Sequence, residues 1–168
     1  PGVWLLTASL GILLCFILLV DKVAAWHVLA PTSVIASALV ILTWSARHFV
    51  SDNWSHEFLF AAAIHLLYLA YPLFLGSQLR KSLEPHLAAV ISSAVFFLFA
   101  RHSLMAGGFE NIIGVLPVAQ AGLMGFLLWR LLKLEPPEER ALGRLAMIAG
   151  RVLAFITDAI PLQIEKKW

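Results

Sequence analysis

Charge is what this sequence has least of. Only 13% of its 168 residues are Asp, Glu, Lys or Arg, where soluble domains carry about 25%. Hydrophobic residues make up 61%, and the mean hydropathy is +0.88. So little polar surface cannot coat a water-soluble globule, which argues against a soluble enzyme. The formal charge is +2, and the 12 Lys and Arg are scattered between apolar runs. Phosphate backbones need such residues clustered on one face, so nucleic acid is not an expected partner. There is one cysteine, Cys15, inside an apolar run. No intramolecular disulfide or Cys-based metal site can be built from it, and it is expected to be a small packing residue. Nucleophile-elbow, phosphate-loop, dinucleotide-glycine, HExxH and paired-carboxylate signatures are all missing. No catalytic, metal-binding or cofactor-binding residue is therefore assigned, no cofactor is expected, and the identity of any small-molecule ligand stays open.

What is present is apolar length. A bilayer-spanning helix needs about 20 mostly apolar residues, so six would use roughly 120 and leave short connections. Spans are expected at Val3–Val20, Ala24–Ala46, Phe58–Leu75, His86–Met105, Ile112–Leu132 and Leu142–Ile160. The expected fold is thus an all-α polytopic transmembrane bundle in one helical region, with the lipid bilayer as its first partner. Pro31 should kink the second helix or mark a late start, and Pro161 should end the sixth. The polar stretch Arg47–Glu57 is expected to be a loop, with Phe49 and Trp54 at headgroup level. In the fifth span, Ala121 and Gly125 form a small-xxx-small pair that would let another helix approach.

The connections after spans one, three and five carry Lys22, Arg80, Lys81, Arg130, Lys133, Arg140 and Arg144. The opposite side carries Arg47, Arg101, Lys166 and Lys167. By the positive-inside rule the loop 133–144 is expected to face the cytoplasm. Pro1 is not an initiator Met and no basic segment precedes the first span, so the latter is not expected to be a signal peptide. The chain is expected to be a piece of a longer protein.

The stretch DAIPLQIEKKW, Asp158 to Trp168, carries a resemblance. Ala159, Ile160, Pro161, Leu162, Gln163, Ile164, Glu165, Lys167 and Trp168 resemble an element of the bacterial predicted membrane proteins grouped as domain of unknown function 2339. The segments FLFAAAIHLLYLAYPL and HLAAVISSAVFFLFA are also similar to that family. The resemblance implies a bacterial inner-membrane protein with many more helices and no established activity. Adjoining transmembrane helices of the longer protein would then be its further partners.

Ionisable residues inside spans are functional leads, because burying one is expensive unless it is paired or hydrated. His65 lies near the middle of span three. Arg144, Arg151 and Asp158 recur every seven residues and hold one face of span six. His65, Arg151 and Asp158 are the candidate intramembrane polar site. His48, Asp52, His56, Glu57 and Glu110 are a candidate cluster at the outer surface, where acid/base or metal chemistry would need them to converge. Three function classes follow. The favoured one is a structural or assembly element of the bacterial envelope without enzymatic activity. The alternatives are part of a transporter or channel using the Arg151/Asp158 seam, and a membrane enzyme acting on lipid-linked or envelope substrates.

Overall fold

In a computed structural model, residues 2–24, 28–75, 82–135, 137–139 and 142–164 are described. They form six helices and no strand: α1 (Gly2–Ala24), α2 (Leu29–His48), α3 (Trp54–Phe74), α4 (Glu84–Ala106), α5 (Val115–Leu134) and α6 (Leu142–Ile164). Helices α2 to α5 are each long and apolar enough to cross a membrane. At 1.5 Å per residue, their 20 to 23 residues reach about 30 to 35 Å, the thickness of a hydrocarbon core.

The ends of the helices differ from those expected, because hydropathy reports where lipid stops and hydrogen bonding decides where a helix stops. Helix α1 continues through Asp21 and Lys22 to Ala24. The Arg47–Glu57 loop shrinks to Phe49–Asn53, since α2 keeps Arg47 and His48 in its last turn and α3 opens at Trp54. The carboxylate of Glu57 then lies in the first turn of α3, where the helix dipole favours negative charge. Pro31 marks a late start: it is the third residue of α2, a first-turn position whose missing N–H would have lacked a partner anyway. Pro161 does not end α6, which runs to Ile164. A proline so near a helix end removes one backbone bond, and the three residues after it remain helical. Arg80, Lys81, Arg140, Lys166, Lys167 and the end of the AIPLQ element, from Glu165, lie outside the described residues.

The hairpin of α3 and α4 is the centre of the bundle. On one side α1 and α2 bury Leu14, Val34 and Ile41 against Phe60, Tyr68, Ala88 and Phe96. On the other, α5 and α6 bury Met124, Leu127, Ile148 and Phe155 against Leu69 and Ala89. Helix α4 serves both sides because its inward residues are small: Ala88, Ala89, Ser92, Ser93, Ala100 and Ser103 are all buried. The Ala121/Gly125 pair does not have the role expected of it. A methyl group built on Gly125 meets nothing within 4 Å, so no helix backbone among the described residues lies against it. Cys15 is likewise not a packing residue but exposed.

Large apolar side chains lie on the outside and polar ones inside. Phe16, Leu39, Phe74, Leu98 and Leu153 are exposed, whereas Glu57, His65, His86, Gln120 and Arg144 are buried. That distribution would aggregate in water and is stable in lipid.

At one end of the bundle the turns after α2 and α4 meet. Trp54 packs on Phe109 with ring centroids 4.7 Å apart, and Gly107 lies so close that an added methyl carbon would sit 2.7 Å from Trp54 Cγ. Gly108 follows with φ +77°, a conformation that favours glycine. Gly107→Ala is expected to cost about 1–3 kcal/mol by overpacking, measurable as a lower thermal midpoint together with a shift in tryptophan emission. An unchanged midpoint would show that Trp54 is free to move aside.

Candidate functional site

Three polar sites are built into the bundle. The first is at the α2–α3/α4–α5 end. Glu57 is fully buried, and its Oε2 faces two groups of α4: it accepts from His102 Nδ1 at 2.9 Å and lies 2.6 Å from Ser103 Oγ, whose single proton is shared between this oxygen and Phe99 O at 2.9 Å. A carboxylate oxygen only accepts here, so His102 carries its proton on Nδ1. The other oxygen of Glu57, Oε1, has no hydrogen bond among the described residues. His102 is half exposed and rests against Phe49 at 4.7 Å. Glu57 and His102 line the end of an apolar cavity of about 600 Å³ between α2 and α4, whose walls include Ile35, Leu39, Leu42 and Leu98.

The second site lies within the bundle and turns on two consecutive serines of α4. Ser92 Oγ donates to its own helix at Ala89 O, 2.8 Å away, and Ser93 Oγ to Val90 O at 2.7 Å. Each hydroxyl has one proton, so each presents only a lone pair outward. Ser92 accepts from His65 Nδ1 of α3 at 3.0 Å, and Ser93 accepts from Arg151 Nε of α6 at 3.1 Å. The same logic joins α3 to α2: Tyr68 donates to Ser33 Oγ at 2.7 Å, and Ser33 donates to Ala30 O. His65 with its proton on Nδ1 leaves Nε2 as an acceptor that, like the buried amide of Gln120 on α5, has no hydrogen bond among the described residues. The imidazole stacks on Phe96, with centroids 5.2 Å apart and planes 7° from parallel. The Arg151 guanidinium lies over the Phe155 ring, 4.0 Å from its centroid, an attraction strengthened by desolvation.

The third is an ion pair between Arg144 Nη2, at the start of α6, and Glu135 Oε2, just after α5. Both side chains are almost wholly buried, and they tie the α5–α6 turn together.

Of the residues singled out in the sequence, His65 and Arg151 meet α4 at adjacent serines, and each is within electrostatic reach of the other. Asp158 is exposed and forms no ion pair with Arg151 among the described residues. His48, Asp52, His56, Glu57 and Glu110 belong to the same end of the bundle, but no group of three or more His, Cys, Asp or Glu among the described residues could hold a metal ion. His48 stacks on Trp44, and Asp52 and Glu110 are exposed. Glu57 meets His102 and Ser103 instead. The serines were missed because a neutral hydroxyl satisfied by its own helix raises no alarm in a hydropathy reading. The signal available was their spacing: Ser92 and Ser93 face inward with Ala88 and Ala89 four residues earlier. Buried His86, whose Nδ1 lies 3.1 Å from Ser82 O, was missed too, because it stands at a span end.

The fold and these interior polar sites define an α-helical, membrane-embedded bundle. No protein-family model matches the chain, and neither does a curated protein or a solved structure.

Proposed function

We propose that this chain is a structural or assembly element of a bacterial envelope membrane, similar to the domain of unknown function 2339 family, with no enzymatic activity of its own. One observation carries the reading: four polar side chains of the interior join one helix to another. Tyr68 ties α3 to α2, His65 ties α3 to α4, Arg151 ties α6 to α4, and Glu57 ties α3 to α4 again. Polar residues used in this way hold transmembrane helices together. Neither cavity described is lined by His65, Arg151 or Asp158.

A transporter is the second reading, favoured by the line of donors and acceptors that His65, Ser92, Ser93 and Arg151 draw across α3, α4 and α6. The two part on one experiment in cells making the full-length protein. For an assembly element, Arg151→Ala and Asp158→Ala leave solute uptake and efflux unchanged, while Arg151→Ala lowers thermal stability. Altered flux with normal insertion would overturn that reading in favour of the transporter.

In this proposal the turn between α5 and α6 faces the cytoplasm, as the basic residues of that side favour. Glu138 is exposed in that turn. In a Cys15→Ser background, Glu138→Cys is expected to react with an impermeant maleimide only after the cells are opened. Labelling of intact cells would invert the orientation.

A further inference from the structure

The cleft between α2 and α4 has the dimensions and chemistry of a lipid site, and of its lining the proposed function uses only Glu57. Its wall on α2 runs from Ile35 to Ala46, which at 1.5 Å per residue is about 16 Å. That is close to half of a hydrocarbon core of about 30 Å, so the groove is one leaflet long. Its middle is bare aliphatic surface: Ile35, Leu39, Leu42 and Leu98 are each more than half exposed. Its polar end, with Ser45, Glu57 and His102, lies where α2 finishes and α3 begins, which for a helix that spans a bilayer is where headgroups stand. There a fully buried carboxylate keeps one oxygen, Oε1, without a hydrogen bond. A buried acceptor left in that state is costly, and an ammonium group would satisfy it with a charge-assisted bond. A second cavity of about 380 Å³ shares Leu39 and is lined by Arg47 and His48, cationic or donor groups suited to a phosphodiester.

We infer that this groove binds an aminophospholipid from the surrounding leaflet, with an acyl chain along α2, a primary ammonium on Glu57 and the phosphate toward Arg47. A bare apolar groove would take any chain. The buried carboxylate is what selects the headgroup, since an anionic lipid is repelled and a quaternary ammonium has no N–H to donate.

The full chain in detergent micelles is titrated with palmitoyl-oleoyl phosphatidylethanolamine, phosphatidylcholine or phosphatidylglycerol, and bound lipid is counted by native mass spectrometry. Phosphatidylethanolamine is expected to bind about tenfold tighter than either of the others, the worth of one charge-assisted hydrogen bond. Glu57→Gln should bring the three together, whereas Leu39→Trp, which fills the groove, should weaken all three. Equal affinities on the unaltered chain overturn the inference, and that comparison needs no variant to fold. A photoreactive residue at position 39 identifies the occupant: cross-linking to lipid supports the site, and cross-linking to a second copy or to another helix overturns it.

Discussion

Arg144→Ala is expected to destabilise the bundle by about 3–5 kcal/mol, because it removes a buried cation paired with the buried Glu135 carboxylate. The wild-type pair is almost fully shielded and links the end of α5 to the start of α6. Both charges paid heavily for desolvation, so the pair itself contributes little net stability, whereas half of it is a liability. Removing both charges separates these effects. Glu135→Leu combined with Arg144→Leu is expected to recover most of the loss, and both variants can be followed by thermal unfolding in micelles. If Arg144→Ala unfolds within about 1 kcal/mol of the parent, the margin of an exposed pair, then the α5–α6 turn admits water and the buried pair does not hold it.

The second large effect is expected at Phe155. Its ring is completely buried, packs on Phe97 of α4 with centroids 5.9 Å apart, and supports the Arg151 guanidinium on its face. In a soluble protein Phe→Ala costs about 3–5 kcal/mol, partly because apolar surface loses its shelter from water. Against α2 to α5, which are apolar enough to cross a membrane, that part is smaller, since helices separated in a bilayer keep their apolar surface in hydrocarbon. The rest is the unfilled space and a desolvated cation–π contact worth about 2 kcal/mol. Phe155→Ala should therefore cost about 3 kcal/mol. Phe155→Leu keeps most of the volume but loses the ring quadrupole, and should still cost about 1–2 kcal/mol. Denaturation in micelles measures both, and a neutral Phe155→Leu would show that packing alone positions Arg151.

Much of this architecture was legible in the order of the residues. Runs such as Phe58–Leu75 and Ile112–Leu132 foretold helices because a chain in lipid must satisfy its backbone internally, and the helix is the local way to do so. Helix ends were less legible. Asp21 and Lys22 end an apolar run without ending α1, and His56 and Glu57 look like loop residues although α3 has already begun. Interfacial water solvates their charges whatever the backbone does, so polarity there carries no information about the helix.

The candidate sites divide in the same way. His65 and Arg151 stood out because a charge or an imidazole is conspicuous in an apolar run, and both do face polar partners. The partners themselves were invisible. Ser92 and Ser93 lie 27 residues from His65 and 58 from Arg151, respectively. Nothing local says that adjacent hydroxyls would receive one donor from α3 and another from α6. Glu57 was grouped with the residues nearest to it in sequence, His48, Asp52 and His56, yet its oxygen is claimed by His102 and Ser103 from the far end of α4.

By itself, then, the sequence determined the solvent, the helical class and the conspicuous polar residues, because those follow from the free energy of transferring each side chain and each peptide group into lipid. Only the tertiary structure decided which polar groups meet, which way α6 turns its arginines, and that Glu57 closes one end of a groove a leaflet long. Those depend on how the α3–α4 hairpin packs against its neighbours, a question of shape between distant segments that hydropathy does not encode.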